Sequence, residues 1–167
     1  MKDNGYSLIE LVVVIAILGT LLGIAGLSGK MWLDRYRVEG QTKEMFTDLM
    51  NARASAMQKN RMYFVNFAGT QYTIYEDTNP GPDGDGSLDA ADRPMMQKNT
   101  QYPTVPALGG SATSFSFDRN GLVSLATTTE AGTLHFDSGA GPACDCVKLF
   151  ATRILIGKWS GGNCVAQ

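Results

Sequence analysis

Gly5-Tyr6-Ser7-Leu8-Ile9-Glu10-Leu11-Val12-Val13-Val14-Ile15-Ala16-Ile17-Leu18 opens a run in which Glu10 is the one charged residue before Lys30. Ahead of it stands a short polar segment, Met1-Lys2-Asp3-Asn4-Gly5. The apolar stretch extends through Leu21, Leu22, Ile24, Ala25 and Leu27. That is enough for a bilayer core, which takes about 20 apolar residues as a helix. A secretory signal has a shorter apolar core closed by a small-residue cleavage site. Here the run passes into Met31-Trp32-Leu33 and then into charged residues, so it reads as retained. The expected division is a leader over 1–5, a transmembrane helix over 6–29, and a soluble remainder.

Glu10 is the anomaly. A carboxylate within an apolar span costs about 2.5–3.5 kcal/mol on insertion scales. Two explanations stand side by side. Glu10 lies near the interface and snorkels, or it meets a cation once the helix leaves lipid. Were the chain cut between Gly5 and Tyr6, the new α-amine of Tyr6 would be such a cation. It would then attract a neighbouring subunit's Glu10 at low dielectric.

From residue 30 to 60 charges mix with apolar residues, and Met45, Leu49, Ala52 and Ala56 recur at steps of three and four. This predicts an amphipathic continuation of the same helix, so that 6–60 forms a rod of about 80 Å. Beyond Asn60 the pattern turns to short β-type runs. They are Met62–Phe67, Tyr72–Tyr75, Ser114–Phe117, Gly121–Ser124, Thr133–Phe136, Val147–Ala151 and Ile154–Ile156. Alternation at Leu134 and Phe136 sets His135 on the opposite face. Residues 77–112 carry Pro80, Pro82, Pro94, Pro103 and Pro106, and are expected to form a long irregular loop. The fold class is therefore α+β: a long N-terminal helix packed on an antiparallel β domain over 61–167.

The N-terminal motif resembles the type III signal of type IV pilins and type II secretion pseudopilins. The resemblance implies cleavage after Gly5 by a prepilin peptidase, N-methylation of Tyr6, and a role for Glu10 in filament assembly. Phenylalanine is commoner than Tyr6 at that position. Leu27 stands where many pilins carry a helix-kinking proline; Gly19, Gly23, Gly26 and Gly29 would supply local weakness instead. Asn51-Ala52-Arg53-Ala54-Ser55-Ala56 resembles a helix end of GspH/FimT-type minor pseudopilins and minor pilins. Phe117-Asp118-Arg119-Asn120-Gly121, followed by Gly132-Thr133-Leu134, resembles a strand pair of that subfamily. The implied function is that of a minor pilin or pseudopilin acting in filament initiation or at the tip. Its implied partners are other pilins or pseudopilins, the peptidase, the inner membrane and an inner-membrane assembly platform. The implied location is the inner membrane, single-pass, with the β domain periplasmic, and later the pilus or pseudopilus.

Asp83, Asp85, Asp89 and Asp92, with Asp77 and Asn79 near, resemble an Asp-rich calcium loop. However, Gly81 stands at the place of the first ligand and Asp92 at that of the terminal glutamate, which favours a solvated Asp/Gly/Pro loop over a calcium cofactor. The alternative function is accordingly a DNA-binding or calcium-dependent adhesive pilin of a competence or adhesion system. A net charge of −2 gives no global basic field for nucleic acid. Lys148, Arg153 and Lys158 add only scattered charge near the C-terminus, and Ala151-Thr152-Arg153-Ile154 lacks the paired arginines of DNA-binding FimT-type pilins. In an oxidising compartment Cys164 would pair with Cys144 or Cys146, leaving one thiol over. No Walker loop, HExxH, nucleophile elbow or dinucleotide fingerprint occurs, and His135 has no partner motif, so no enzyme activity is expected.

Overall fold

The structure is a computed structural model that describes residues 7–81, 84–125 and 132–167, with only the helical backbone at 24–28. Gly5, Tyr6 and Asp83 lie outside the described residues.

A single helix, α1, runs from Leu8 to Lys59. Its 52 residues make a rod of about 78 Å. It continues through Gly19, Gly23, Gly26 and Gly29 without a break. It begins after Ser7, whose backbone is extended, and ends at Asn60, which turns left-handed at φ 54°. Asparagine tolerates that conformation, and the Asn60 and Arg61 amides both turn back to the Ala56 carbonyl.

Ten strands follow: β1 Tyr63–Ala68, β2 Gln71–Glu76, β3 Arg93–Asn99, β4 Thr104–Ala107, β5 Ser114–Phe117, β6 Val123–Leu125, β7 Gly132–Phe136, β8 Cys146–Leu149, β9 Ile154–Ser160 and β10 Asn163–Ala166. They form two five-stranded sheets, ordered β3-β2-β1-β5-β6 and β10-β9-β8-β7-β4, with antiparallel neighbours throughout. The C-terminal half of α1 lies across both. Val38, Met45, Leu49, Ala52 and Ala56 are buried against Val65, Phe67, Phe115 and Phe117 of one sheet and Leu134, Val147 and Leu149 of the other. The repeat of threes and fours thus marks the face that carries the core.

Three expectations are corrected. Residues 77–112 are not one irregular loop, because β3 and β4 lie within them. Their prolines fit because both strands are sheet edges, where a missing N–H is tolerated. Pro94 sits opposite Tyr75, where the register shifts, and Pro106 opposite Leu134. Second, Phe117 and Gly132–Leu134 do not form a strand pair: β5 joins β6 in one sheet, while β7 belongs to the other. Gly121 instead closes the β5–β6 turn at φ +73°, and a Cβ there would lie 2.8 Å from the Met57 sulfur. Its conformation and the close approach of α1 both require glycine. Third, β10 had no counterpart among the expected strands. Its signal was Ser160-Gly161-Gly162-Asn163, a two-residue hairpin turn with both glycines at positive φ.

Cys146 is bonded to Cys164, and Cys144 is free and buried. The bond ties β8 to β10 across the intervening β9. It crosses near Gly157, which is paired with both Cys146 and Ala166. A Cβ at 157 would come 2.3 Å from the Val165 carbonyl oxygen, so β10 lies closely over a position without a side chain. The closed loop spans a separation of 18 residues. Cys164→Ser is expected to cost about 3 kcal/mol, read as a lower denaturant midpoint of the detergent-solubilised protein under non-reducing conditions.

Candidate assembly surface of the N-terminal helix

Two halves of α1 have opposite surroundings. From Leu8 to Leu22 the large apolar side chains are exposed on every side of the helix; Leu8 is 81% and Leu22 72% exposed. A helix apolar all round belongs in lipid or among other helices. Leu11, Val14, Ile15 and Leu18 line a shallow groove along one face, with Glu10 at its end. Glu10 lies in the first turn, where a carboxylate is favoured by the helix dipole, and is itself exposed. Among the described residues no helix is long and apolar enough to cross a membrane. The expected span 6–29 extends beyond them, since Tyr6 and the side chains of 24–28 are not described.

The second half is bound to the β domain by its polar residues as well as by its apolar stripe. Asp48 is buried, and accepts a hydrogen bond from the Tyr72 hydroxyl at 2.6 Å and an ion pair from Lys98 at 2.9 Å. Glu44 is the second carboxylate on Lys98. Burial and the Asp48 carboxylate push the Tyr72 phenol far above its ordinary pKa, so it stays a donor. The bonds to Glu44 and Asp48 raise the Lys98 ammonium in turn. Nearer the exposed half, Asp34 accepts from the Tyr102 hydroxyl at 3.0 Å and Arg35 donates to the Ala140 carbonyl at 2.8 Å. Glu39 accepts from the Ala143 amide at 2.8 Å, and Arg53 donates to the Thr152 carbonyl at 2.8 Å. At the helix end Lys59 and Arg61 flank the buried Glu76. The charges of 30–60 therefore latch the helix to the loops around it.

The Asp-rich loop closes on itself. The Asp92 carboxylate accepts from the Thr78 and Asp89 amides, at 3.1 and 3.0 Å. Asp89 accepts from the Asn79 side chain and the Ala91 amide, both at 2.7 Å. The Asn79 bond holds the Asp89 carboxyl below its ordinary value. Asp85 accepts from the Ser87 amide. Asp77 is buried and accepts from the Gly86 amide at 2.9 Å, with its other oxygen unpartnered among the described residues; burial raises its pKa. Its carboxyl packs onto Gly84, where any Cβ would fall 1.8 Å away. Among the described residues no group of three or more His, Cys, Asp or Glu is placed to hold a metal ion.

His135 stacks on Trp159 at 3.8 Å and 7°, with Nδ1 buried and unpartnered. Burial lowers its pKa from 6.5, against the opposing pull of Asp137 and Asp145.

This architecture, a long half-exposed helix fixed to a two-sheet β domain, is the pilin-like α+β fold. The family model of the "Prokaryotic N-terminal methylation motif" matches residues 1–26, and that of the "Type II transport protein GspH" matches residues 41–152. The chain belongs to the GspH family. Among solved structures it is similar to the type IV minor pilin FimU of Pseudomonas aeruginosa strain PAO1, at 15% identity and a TM-score of 0.50, over 76% of this chain and 96% of that one. A second crystal form of FimU matches with a TM-score of 0.52 at 15% identity, over 80% and 96% of the two chains. The minor pseudopilin EpsH from the Type 2 Secretion System of Vibrio cholerae matches at 14% identity and a TM-score of 0.52, over 73% and 97%. At such identities the likeness concerns the fold. No curated protein matches the chain significantly.

Asp48→Ala would leave the buried Tyr72 hydroxyl without its acceptor and Lys98 with Glu44 alone. The expected cost is about 2–3 kcal/mol, measured by denaturant unfolding in detergent. The His135 pKa is depressed in the fold, so its contribution is whole above pH 6.5 and is lost as pH falls below that value. The melting temperature should therefore drop more between about pH 7 and pH 5 in the wild type than in His135→Phe, which keeps the stack.

Proposed function

We propose that the chain is a minor pilin or pseudopilin: a structural subunit, not an enzyme, of a type IV pilus or a type II secretion pseudopilus. It acts in filament initiation or at the tip. The observation that carries this is the exposed apolar half of α1, rigidly joined to the β domain and preceded by the methylation motif. Such a surface must be covered by something outside the chain. Lipid covers it first: the subunit is held in the inner membrane with its N-terminus cytoplasmic and its β domain periplasmic. Lys2 on one side and the Cys146–Cys164 bond on the other fit that orientation. A prepilin peptidase cuts after Gly5, Tyr6 is N-methylated, and an inner-membrane platform passes the helix from lipid to other pilin helices.

The transfer exchanges one apolar contact for another, so helix packing and a polar pair must tip the balance. The Tyr6 amine of one subunit meeting the Glu10 carboxylate of the next supplies that pair. The groove from Glu10 to Leu18 then receives a neighbouring helix. The Asp-rich loop, closed on its own amides, stands as a structural element and not as an adhesive calcium site.

Glu10→Ala should be cleaved normally but enter filaments at about a tenth of the wild-type level or less, scored by immunoblot of sheared filaments. Gly5→Leu should leave the precursor uncut, which intact-mass measurement of the membrane fraction reads directly. Wild-type incorporation of Glu10→Ala would overturn the assigned role.

A further inference from the structure

Trp32 and Tyr36 stack on the outer face of α1 with ring centroids 6.0 Å apart and 14° between planes, yet are 68% and 66% exposed. They line a shallow groove of about 400 Å³ between α1 and the loop at residues 141–143, whose far wall is Lys158 of β9. Arg35 projects into the same groove. Its Nε is held by the Ala140 carbonyl, and its outer guanidinium nitrogens make no hydrogen bond among the described residues. Glu39 is the groove's one carboxylate, and its Oε1 is turned to the Ala143 amide. Asp34, beside it on the helix, is taken by Tyr102 and Arg37. Free positive charge and flat aromatic surface therefore dominate.

The position along the rod says what meets this surface. The charge-free stretch from Leu11 to Gly29 is about 28 Å long as a helix, close to the roughly 30 Å of a hydrocarbon core. With Glu10 at one boundary, Lys30 stands at the other, and Trp32 and Tyr36 reach into the headgroup layer just outside it. Amphipathic aromatic rings and snorkelling cations are the side chains that stabilise such a boundary. We infer that the groove formed by Trp32, Arg35, Tyr36 and Lys158 binds the headgroup phosphates of anionic phospholipids, seating the β domain on the membrane surface before the subunit is withdrawn. The inference rests on the membrane-anchored reading above. It adds that the folded domain itself touches the bilayer: Lys158 is distant from the span in sequence and reaches the membrane only because β9 lies beside α1.

The test uses the full-length protein reconstituted into vesicles of phosphatidylcholine alone or with phosphatidylglycerol. Some of the lipid carries bromine near the glycerol backbone. The quenching of Trp32 is obtained as the wild-type signal minus that of Trp32→Phe, which removes the contribution of Trp159. Quenching at least about twofold greater in the anionic vesicles is expected. An Arg35→Gln/Lys158→Gln double variant should bring it back to the phosphatidylcholine level while still floating with the vesicles. Flotation without Trp32 quenching, or quenching indifferent to lipid charge and to the double variant, overturns the headgroup site but leaves the anchored reading intact. Failure to float overturns both. Cross-linking of residue 32 to a second copy within the bilayer, in place of quenching, would assign the groove to a subunit contact and overturn the inference.

Discussion

Everything in this molecule follows from one helix that its own chain covers for only half its length. An uncovered apolar rod in water would be prohibitively unfavourable, at about 25 cal/mol for each Å² of apolar surface left wet. The β domain cannot relieve this, because its two sheets reach only the half of α1 that begins near Val38. The first half therefore depends on lipid or on other helices. The proposed passage between those two environments needs a helix equally acceptable to both, and the exposed Leu/Ile/Val surface meets that need. In the proposed assembly, one carboxylate, Glu10, carries the discrimination that apolar contacts cannot provide.

The second half of the helix faces a different requirement. In the proposed assembly, moving the rod must move the domain, so the joint has to resist shear. Apolar packing along Met45, Leu49, Ala52 and Ala56 supplies most of the stability but little directional constraint. The hydrogen bonds from Asp34, Arg35, Glu39, Asp48 and Arg53 to five separate points of the β domain fix the helix in rotation and register. Asp48 is buried and Asp34, Glu39 and Arg53 are half-buried, so these polar groups are costly to leave unpaired, which makes slippage unfavourable. The Cys146–Cys164 bond serves the same end at the far side of the second sheet, holding the last strand in place.

Much of this was legible from residue patterns. The apolar run, the three-and-four stripe below it, and the short β-type runs located the helix and six of the strands to within a residue or two. The errors have physical causes. Pro94 and Pro106 look like strand breakers in the sequence, yet a proline breaks a strand only where both edges must pair. Whether a strand is an edge is a property of the sheet, not of the strand. The resemblance to a subfamily strand pair joins Phe117 to Gly132–Leu134, while the actual pairing sends β7 to the opposite sheet. Gly161-Gly162 is the sequence signal for the β9–β10 hairpin turn.

The residue string by itself settles that a long apolar helix with one acid precedes a β domain, since hydrophobic period and charge placement are local properties. It also narrows the disulfide to Cys164 with one of two partners. Which cysteine bonds, which acids on α1 face solvent and which hold the domain, and where Lys158 lies relative to Trp32, are decided only by tertiary structure. Those are distances between residues remote in sequence, created when two sheets close around one helix, and no local pattern encodes them.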